Sequence, residues 1–161
     1  MQELERDRFI LIIDPHREHA QLVQQVLAQS SGDDAWRVQA SQAEYRSQNR
    51  FDIIEDGNEA IDYLLQRNQY TQAPRPDLVL LDLDLPGHDG HSILTTIKTT
   101  PHLKRIPVIV FTQSDHSEDV LRSYASQGNC YVVKAADLAQ LSHTVQQIES
   151  FWLGIVTLPL R

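Results

Sequence analysis

Five short, β-branched-rich apolar runs, each followed by a longer stretch of helical periodicity, confine this chain to a narrow set of folds. The runs are Phe9 to Ile13, Phe51 to Ile54, Leu78 to Leu81, Val108 to Phe111 and Cys130 to Val133. Near-continuous apolar runs of this length predict strands buried on both faces, as in a parallel sheet covered by helices. Between them, Leu22, Val23, Val26 and Leu27 mark a first helix, and Ala60, Ile61, Leu64 and Leu65 a second. Ile93, Leu94 and Ile97 mark a third, and Val120, Leu121 and Tyr124 a fourth. A fifth carries Leu138, Leu141, Val145, Ile148 and Trp152 in steps of three and four. Five βα units predict an α/β fold built on a doubly wound five-stranded sheet.

Two stretches fit less simply. Ser30 to Arg50 is polar and long for a connection, yet Trp36, Val38 and Ala40 alternate like a strand. It reads either as an insertion or as the start of a bent second strand. Arg67 to Pro76 carries turn residues and two prolines, and reads as a surface loop. With 161 residues the whole chain, 1 to 161, is expected to be one domain.

In an open α/β sheet, ligands bind outside the carboxyl ends of the strands. That rule selects Asp14 after the first run, Asp82 after the third, Thr112 after the fourth and Lys134 after the fifth. Two acids, a hydroxyl and an amine converging on one crevice suit phosphoryl transfer to a carboxylate. Asp82 would be the nucleophile and hold the group as a labile acyl phosphate. Asp14 would help hold Mg²⁺, Lys134 would pair with the phosphoryl oxygens and Thr112 would hydrogen-bond the attached group. Taken singly, a strand-terminal Asp often caps the next helix, and a Thr or Lys there is ordinary surface. The conjunction carries the reading.

Around these residues the sequence resembles the response-regulator receiver domains, and among them the small cyanobacterial phytochrome-associated regulators. The matching stretches are Pro76-Asp77-Leu78, Leu81-Asp82-Leu83-Asp84-Leu85-Pro86, Asp89-Gly90, Ile106-Pro107-Val108, Phe111-Thr112 and Tyr131-Val132-Val133-Lys134. Glu55-Asp56-Gly57-Asn58-Glu59-Ala60, Phe151-Trp152-Leu153 and Leu158-Pro159 belong to the same likeness. It covers roughly Phe9 to Pro159 apart from Ser30 to Arg50. The resemblance implies a flavodoxin-like, CheY-like sheet of strand order 2-1-3-4-5. It also implies Asp82 as acceptor, Thr112 and Lys134 as its partners, and Tyr131 as an aromatic that switches on activation. A histidine kinase, of phytochrome type, would be the phosphate donor.

Three residues depart from that pattern. Family members carry two consecutive acids after the first strand, whereas here Asp14 is followed by Pro15, which cannot ligate a metal; Mg²⁺ is therefore expected to bind weakly. Ala135 stands where a proline usually follows the lysine, so a cis bond is not expected there. Asp84 is acidic where close relatives have Asn, and it either repels incoming phosphate or supplies the missing metal ligand, making Asp14, Asp82 and Asp84 the candidate metal set. His88 and His91 straddle the Pro86 to Gly90 turn and read as loop histidines rather than a zinc pair.

These departures leave two other classes open. One is a receiver-like interaction module that works without phosphorylation. The other is a haloacid-dehalogenase-type phosphatase, suggested by Asp82-Leu83-Asp84 but opposed by the two βα units that precede Asp82; the chain is not expected to be an enzyme. Lys and Arg total 14 against 22 Asp and Glu, a net charge of −8, which argues against a nucleic-acid partner. The charged N-terminus, the lack of any membrane-length apolar run and the single cysteine, Cys130, point to the cytoplasm. Beyond the fifth helix, residues 150–161 form an apolar extension of Phe151, Trp152, Leu153, Ile155, Val156, Leu158 and Leu160. So contiguous an apolar surface predicts a homodimer held in part by this segment.

Overall fold

The computed structural model describes residues 8–29 and 49–159. Five strands, β1 (Arg8–Ile13), β2 (Asn49–Ile54), β3 (Leu78–Leu81), β4 (Val108–Thr112) and β5 (Cys130–Val133), form one parallel sheet in the order β2-β1-β3-β4-β5. The helices α1 (Arg17–Gln29), α2 (Gly57–Leu64), α3 (Gly90–Thr99), α4 (Ser117–Ala125) and α5 (Leu138–Ile148) follow the strands in turn.

Successive strand residues point to opposite faces, so each strand feeds two cores. Leu11, Ile13, Val79, Leu81, Val108 and Val110 face α2 and α3 through Ala60, Leu64, Ile93, Leu94 and Ile97. Ile10, Ile12, Leu78, Leu80, Ile109 and Phe111 face α1 and α5 through Ala20, Val23, Leu27, Leu141 and Val145. The central strands are therefore apolar throughout, which made them legible as runs. Three helix starts are fixed by side-chain caps: Asp56 accepts from the Asn58 and Glu59 amides, Asp89 from the His91 amide, and Asp137 from the Gln140 amide.

Three details differ from the sequence expectation. In α4 two of the apolar trio do not turn inward: Leu121 is 70% exposed and Tyr124 51%, with Val120 half-buried, while Ser123 is the buried residue. Arg67 to Pro76 is mostly loop but contains a 3₁₀ turn, Asn68–Tyr70. The fifth helical stripe does not run through to Trp152, because α5 ends at Ile148 and a π-helical segment, Glu149–Ile155, takes over. That change of period buries Leu153 and Leu158 in the α1/α5 core and packs Trp152 and Val156 partly against it, but leaves Phe151 50% and Ile155 74% exposed. The extension thus folds back on its own sheet in part only. The second strand begins at Asn49; the rest of Ser30 to Arg50, with Trp36, Val38 and Ala40, lies outside the described residues, as does Leu160.

Candidate functional site

The parallel register sets the strands flush at their carboxyl ends: Ile13 pairs with both Ile54 and Leu81, Leu81 with Val110, and Thr112 with Val133. The ladder continues one residue further, since the Asp14 amide donates to Ile54 O, the Asp82 amide to Ile13 O and the Lys134 amide to Thr112 O. Those bonds hold the backbones of Asp14 and Asp82 side by side at one edge of the sheet, with Lys134 at the same edge across β4, before any side chain is considered. All three side chains are buried, as is Thr112.

Lys134 Nζ lies 2.7 Å from Asp14 Oδ2 and 2.7 Å from Asp82 Oδ2, so one ammonium bridges two carboxylates. The same Nζ lies over the Phe111 ring, 5.9 Å from its centroid. The other oxygen, Asp82 Oδ1, accepts from Thr112 Oγ1 at 2.8 Å and from the Asp84 amide at 2.9 Å. Burial alone would push the Asp82 carboxyl up. The charge and hydrogen bond of Lys134, the Asp84 amide and the Thr112 hydroxyl outweigh it and hold the group below the ordinary carboxylate range. A buried aspartate is thereby kept ionised, the form a nucleophile needs.

Asp82 opens into a crevice of about 520 Å³ whose walls include His16, Asp84, Asp89, Thr112, His91 and Asp119. Asp84 sits exposed at its rim. On the far wall Asp119 accepts from Ser114 Oγ and pairs with His91 Nε2 at 3.0 Å, and these hydrogen bonds lower its carboxyl from the usual range. Tyr131 reaches the same wall, its hydroxyl donating to Ser114 O at 2.8 Å. So the structure brings together Asp14, Asp82, Thr112 and Lys134, adds Tyr131 and Asp84 at the edges, and ties His91 to α4 rather than to His88. No peptide bond among the described residues is cis, in line with Ala135 after the lysine.

Sequence reasoning missed two residues here. His16 Nδ1 is 3.0 Å from Asp14 Oδ1 and 3.5 Å from Asp82 Oδ2, occupying space beside the carboxylate pair on the side that Pro15 leaves empty of ligands. His19 lies one turn further along, its ring 5.0 Å from that of His16, and burial followed by the nearby charge of Lys134 lowers its pKa. The strand-end rule could not select them, because both sit on or just before the first turn of α1. The pattern Asp14-Pro15-His16-Arg17-Glu18-His19, two imidazoles three apart behind an acid, was the available signal.

Compared with known proteins, the chain matches the family described as "Response regulator receiver domain" over residues 44–146. The chain belongs to the receiver family. The first βα unit, which carries Asp14-Pro15-His16, lies outside that match. The chain is 41% identical over 152 residues to Response regulator Rcp1 of Synechocystis sp., covering 94% of this chain and 93% of that protein. Its fold superposes on a phosphorylated cyanobacterial phytochrome response regulator, RcpA, with a TM-score of 0.81, 38% identity and coverage of 96% and 99% of the two chains. It superposes on an Mn²⁺-bound form of Rcp1 with a TM-score of 0.80, 40% identity and coverage of 95% and 99%. The receiver fold and strand order expected from sequence are thus found, and a phosphorylation-based role is supported over a phosphorylation-independent module. Receivers of this kind are generally not enzymes.

Receiver domains bind Mg²⁺ at the acidic site. The present site fits such an ion in part: the buried carboxylates of Asp82, on the crevice wall, and Asp14, beside it, are oxygen donors suited to a hard cation. When bound, the ion would neutralise charge on phosphoryl oxygens. Among the described residues no helix is long and apolar enough to cross a membrane.

Proposed function

We propose that Asp82 is the phosphoacceptor of this receiver and that a histidine kinase of phytochrome type is its donor. A carboxylate oxygen of Asp82 attacks phosphorus, the bond from phosphorus to the donor imidazole breaks, and the imidazole leaves with its electron pair while an acyl phosphate forms on Asp82. Lys134 meets charge on the phosphoryl oxygens and Thr112 donates to one of them. The observation that carries the reading is the buried Asp82 carboxylate held ionised by Lys134 and Thr112, within 2.8 Å of each, on the wall of an open crevice. Tyr131 is the aromatic whose contact with Ser114 O couples the crevice to the start of α4. The phytochrome assignment rests on the likeness to RcpA and Rcp1.

Asp82→Asn tests the acceptor. Incubated with a small acyl-phosphate donor and Mg²⁺, the wild type is expected to gain the mass of one phosphoryl group and the variant none, with circular dichroism unchanged. A hydroxylamine-labile label in the variant would reassign the acceptor.

The chain works in the cytoplasm as a homodimer through its C-terminal segment, and its net charge of −8 gives no basis for binding nucleic acid. Phe151 and Ile155, half and three-quarters exposed on the π-helical segment, are the large apolar side chains left uncovered among the described residues of the tail. Each would contribute about 1.5–3 kcal/mol on burial against a second copy. Phe151→Glu with Ile155→Glu spares the buried Leu153 and Leu158, so it should sediment as a folded monomer at concentrations where the wild type is dimeric. A monomeric wild type at micromolar concentration rules the dimer out.

A further inference from the structure

We propose that the cluster of Asp14, His16 and His19 beside this crevice takes a zinc-class transition ion in preference to Mg²⁺, with those three as its protein ligands. The inference rests on the functional reading above only in setting the ion beside Asp82.

The donors are an acid and two imidazoles, the set that favours borderline transition ions; Mg²⁺ instead demands oxygen and holds its water tightly. One donor atom from each of Asp14, His16 and His19 lies within 4.8 Å of the other two. Two ligands bound at about 2.1 Å sit roughly 3.0 to 3.4 Å apart on adjacent corners of a coordination polyhedron and about 4.2 Å apart across it. The observed 3.0 Å from His16 Nδ1 to Asp14 Oδ1 is already an edge of that size, and 3.5 Å from His16 Nδ1 to Asp82 Oδ2 is close to one. His19 then needs to move by less than its own bond to the ion.

His19 supplies the second, separate observation. Its Nδ1 is shut off from solvent and has no hydrogen-bond partner, although a buried ring nitrogen ordinarily finds one. An imidazole with one orphaned nitrogen, its ring tilted 34° to that of a second imidazole 5.0 Å away beside a buried carboxylate, is poorly explained as packing. A ligand set gives such an imidazole a role. Asp14 is buried, anchored by Lys134 at 2.7 Å on Oδ2, and so keeps Oδ1 turned to the histidines. That anchor is the kind of outer contact that orients a ligand. The consecutive acid missing at Pro15 is thus replaced in kind, two nitrogens for one carboxylate, and the preference should shift with it.

The test uses the full chain stripped of metal with chelator and titrated separately with Zn²⁺, Co²⁺ and Mg²⁺. Expected are calorimetric Zn²⁺ binding at one site, at least about tenfold tighter than Mg²⁺, and a visible Co²⁺ absorption band that Zn²⁺ displaces. His16→Ala and His19→Ala should each weaken Zn²⁺ by about tenfold or more and abolish the Co²⁺ band, while leaving weak Mg²⁺ binding within about twofold. His19→Gln, which keeps a polar side chain on α1, serves if the alanine variant unfolds. His102→Ala, a histidine outside the crevice, should change nothing. Zn²⁺ binding no tighter than Mg²⁺, or a Co²⁺ band that survives loss of His16 and His19, overturns the proposal. Asp82→Asn separates the two readings: it should lose phosphoryl label yet keep the Co²⁺ band. A wild type that binds Zn²⁺ as described but takes no label refutes the acceptor assignment alone.

Discussion

Lys134→Met should lose about 3–5 kcal/mol of stability and all phosphoryl labelling, because it leaves two buried carboxylates without their common cation. Methionine retains an apolar stem beside Phe111, so the loss reads charge rather than packing. In a chain of this length that cost corresponds to a fall in Tm of roughly 6–20 °C. The pH dependence should change sign at Asp82. In the wild type the carboxyl is held below its unfolded value, so the stability it contributes is present at neutral pH and fades as pH falls through the lowered value. With the ammonium gone, burial pushes the carboxyl above its unfolded value; stability is then present in mild acid and lost as pH rises. Lys134→Met should accordingly be more stable in mildly acidic buffer than at neutral pH, and adding Asp14→Asn should restore part of the loss. An unfolding free energy from urea denaturation within about 1 kcal/mol of wild type at neutral pH would show that water reaches both carboxylates.

Gly90→Ala is expected to cost about 1–3 kcal/mol and to slow labelling of Asp82, although it lies outside the charged cluster. Gly90 opens α3 directly above the turn that follows β3. A Cβ there would stand 2.5 Å from Leu83 Cα and 2.9 Å from both Asp82 O and Leu83 O, backbone atoms that cannot swing aside. Relief requires moving the turn, and the turn carries the Asp84 amide that donates to Asp82 Oδ1. An unchanged urea midpoint together with an unchanged labelling rate would mean that α3 and the turn separate freely. Serine should behave like alanine, since the obstruction is the Cβ itself.

The residues that were legible in the sequence share one property: their role follows from position along a strand. β1, β3 and β4 are buried on both faces, so their apolar runs stand out, and the residues that end them are fixed at one edge by the ladder. Asp14, Asp82, Thr112 and Lys134 were therefore recoverable without coordinates. His16 and His19 were not, because a helix's first turn carries no comparable rule and the acid expected beside Asp14 drew attention to Pro15 instead. Leu121 and Tyr124 in α4 show the opposite failure. Their spacing matches a buried stripe, but the helix is rotated so that Ser123 faces the core and the apolar residues face water. The tail misled for a third reason, since a step from α to π period within one helix turns Leu153 inward and Ile155 outward, and apolarity alone records neither.

Thr112 donates to Asp82 and Tyr131 donates to Ser114 O, so both side chains are engaged at the wall that a phosphoryl group on Asp82 would face. What such a group would still change is charge, by about −1.5 to −2 at neutral pH. It would do so in a crevice where Asp84, Asp89 and Asp119 are already acidic. A partner that distinguishes the two forms would then read electrostatic potential at the mouth of the crevice, and the distinction should fade as salt is raised.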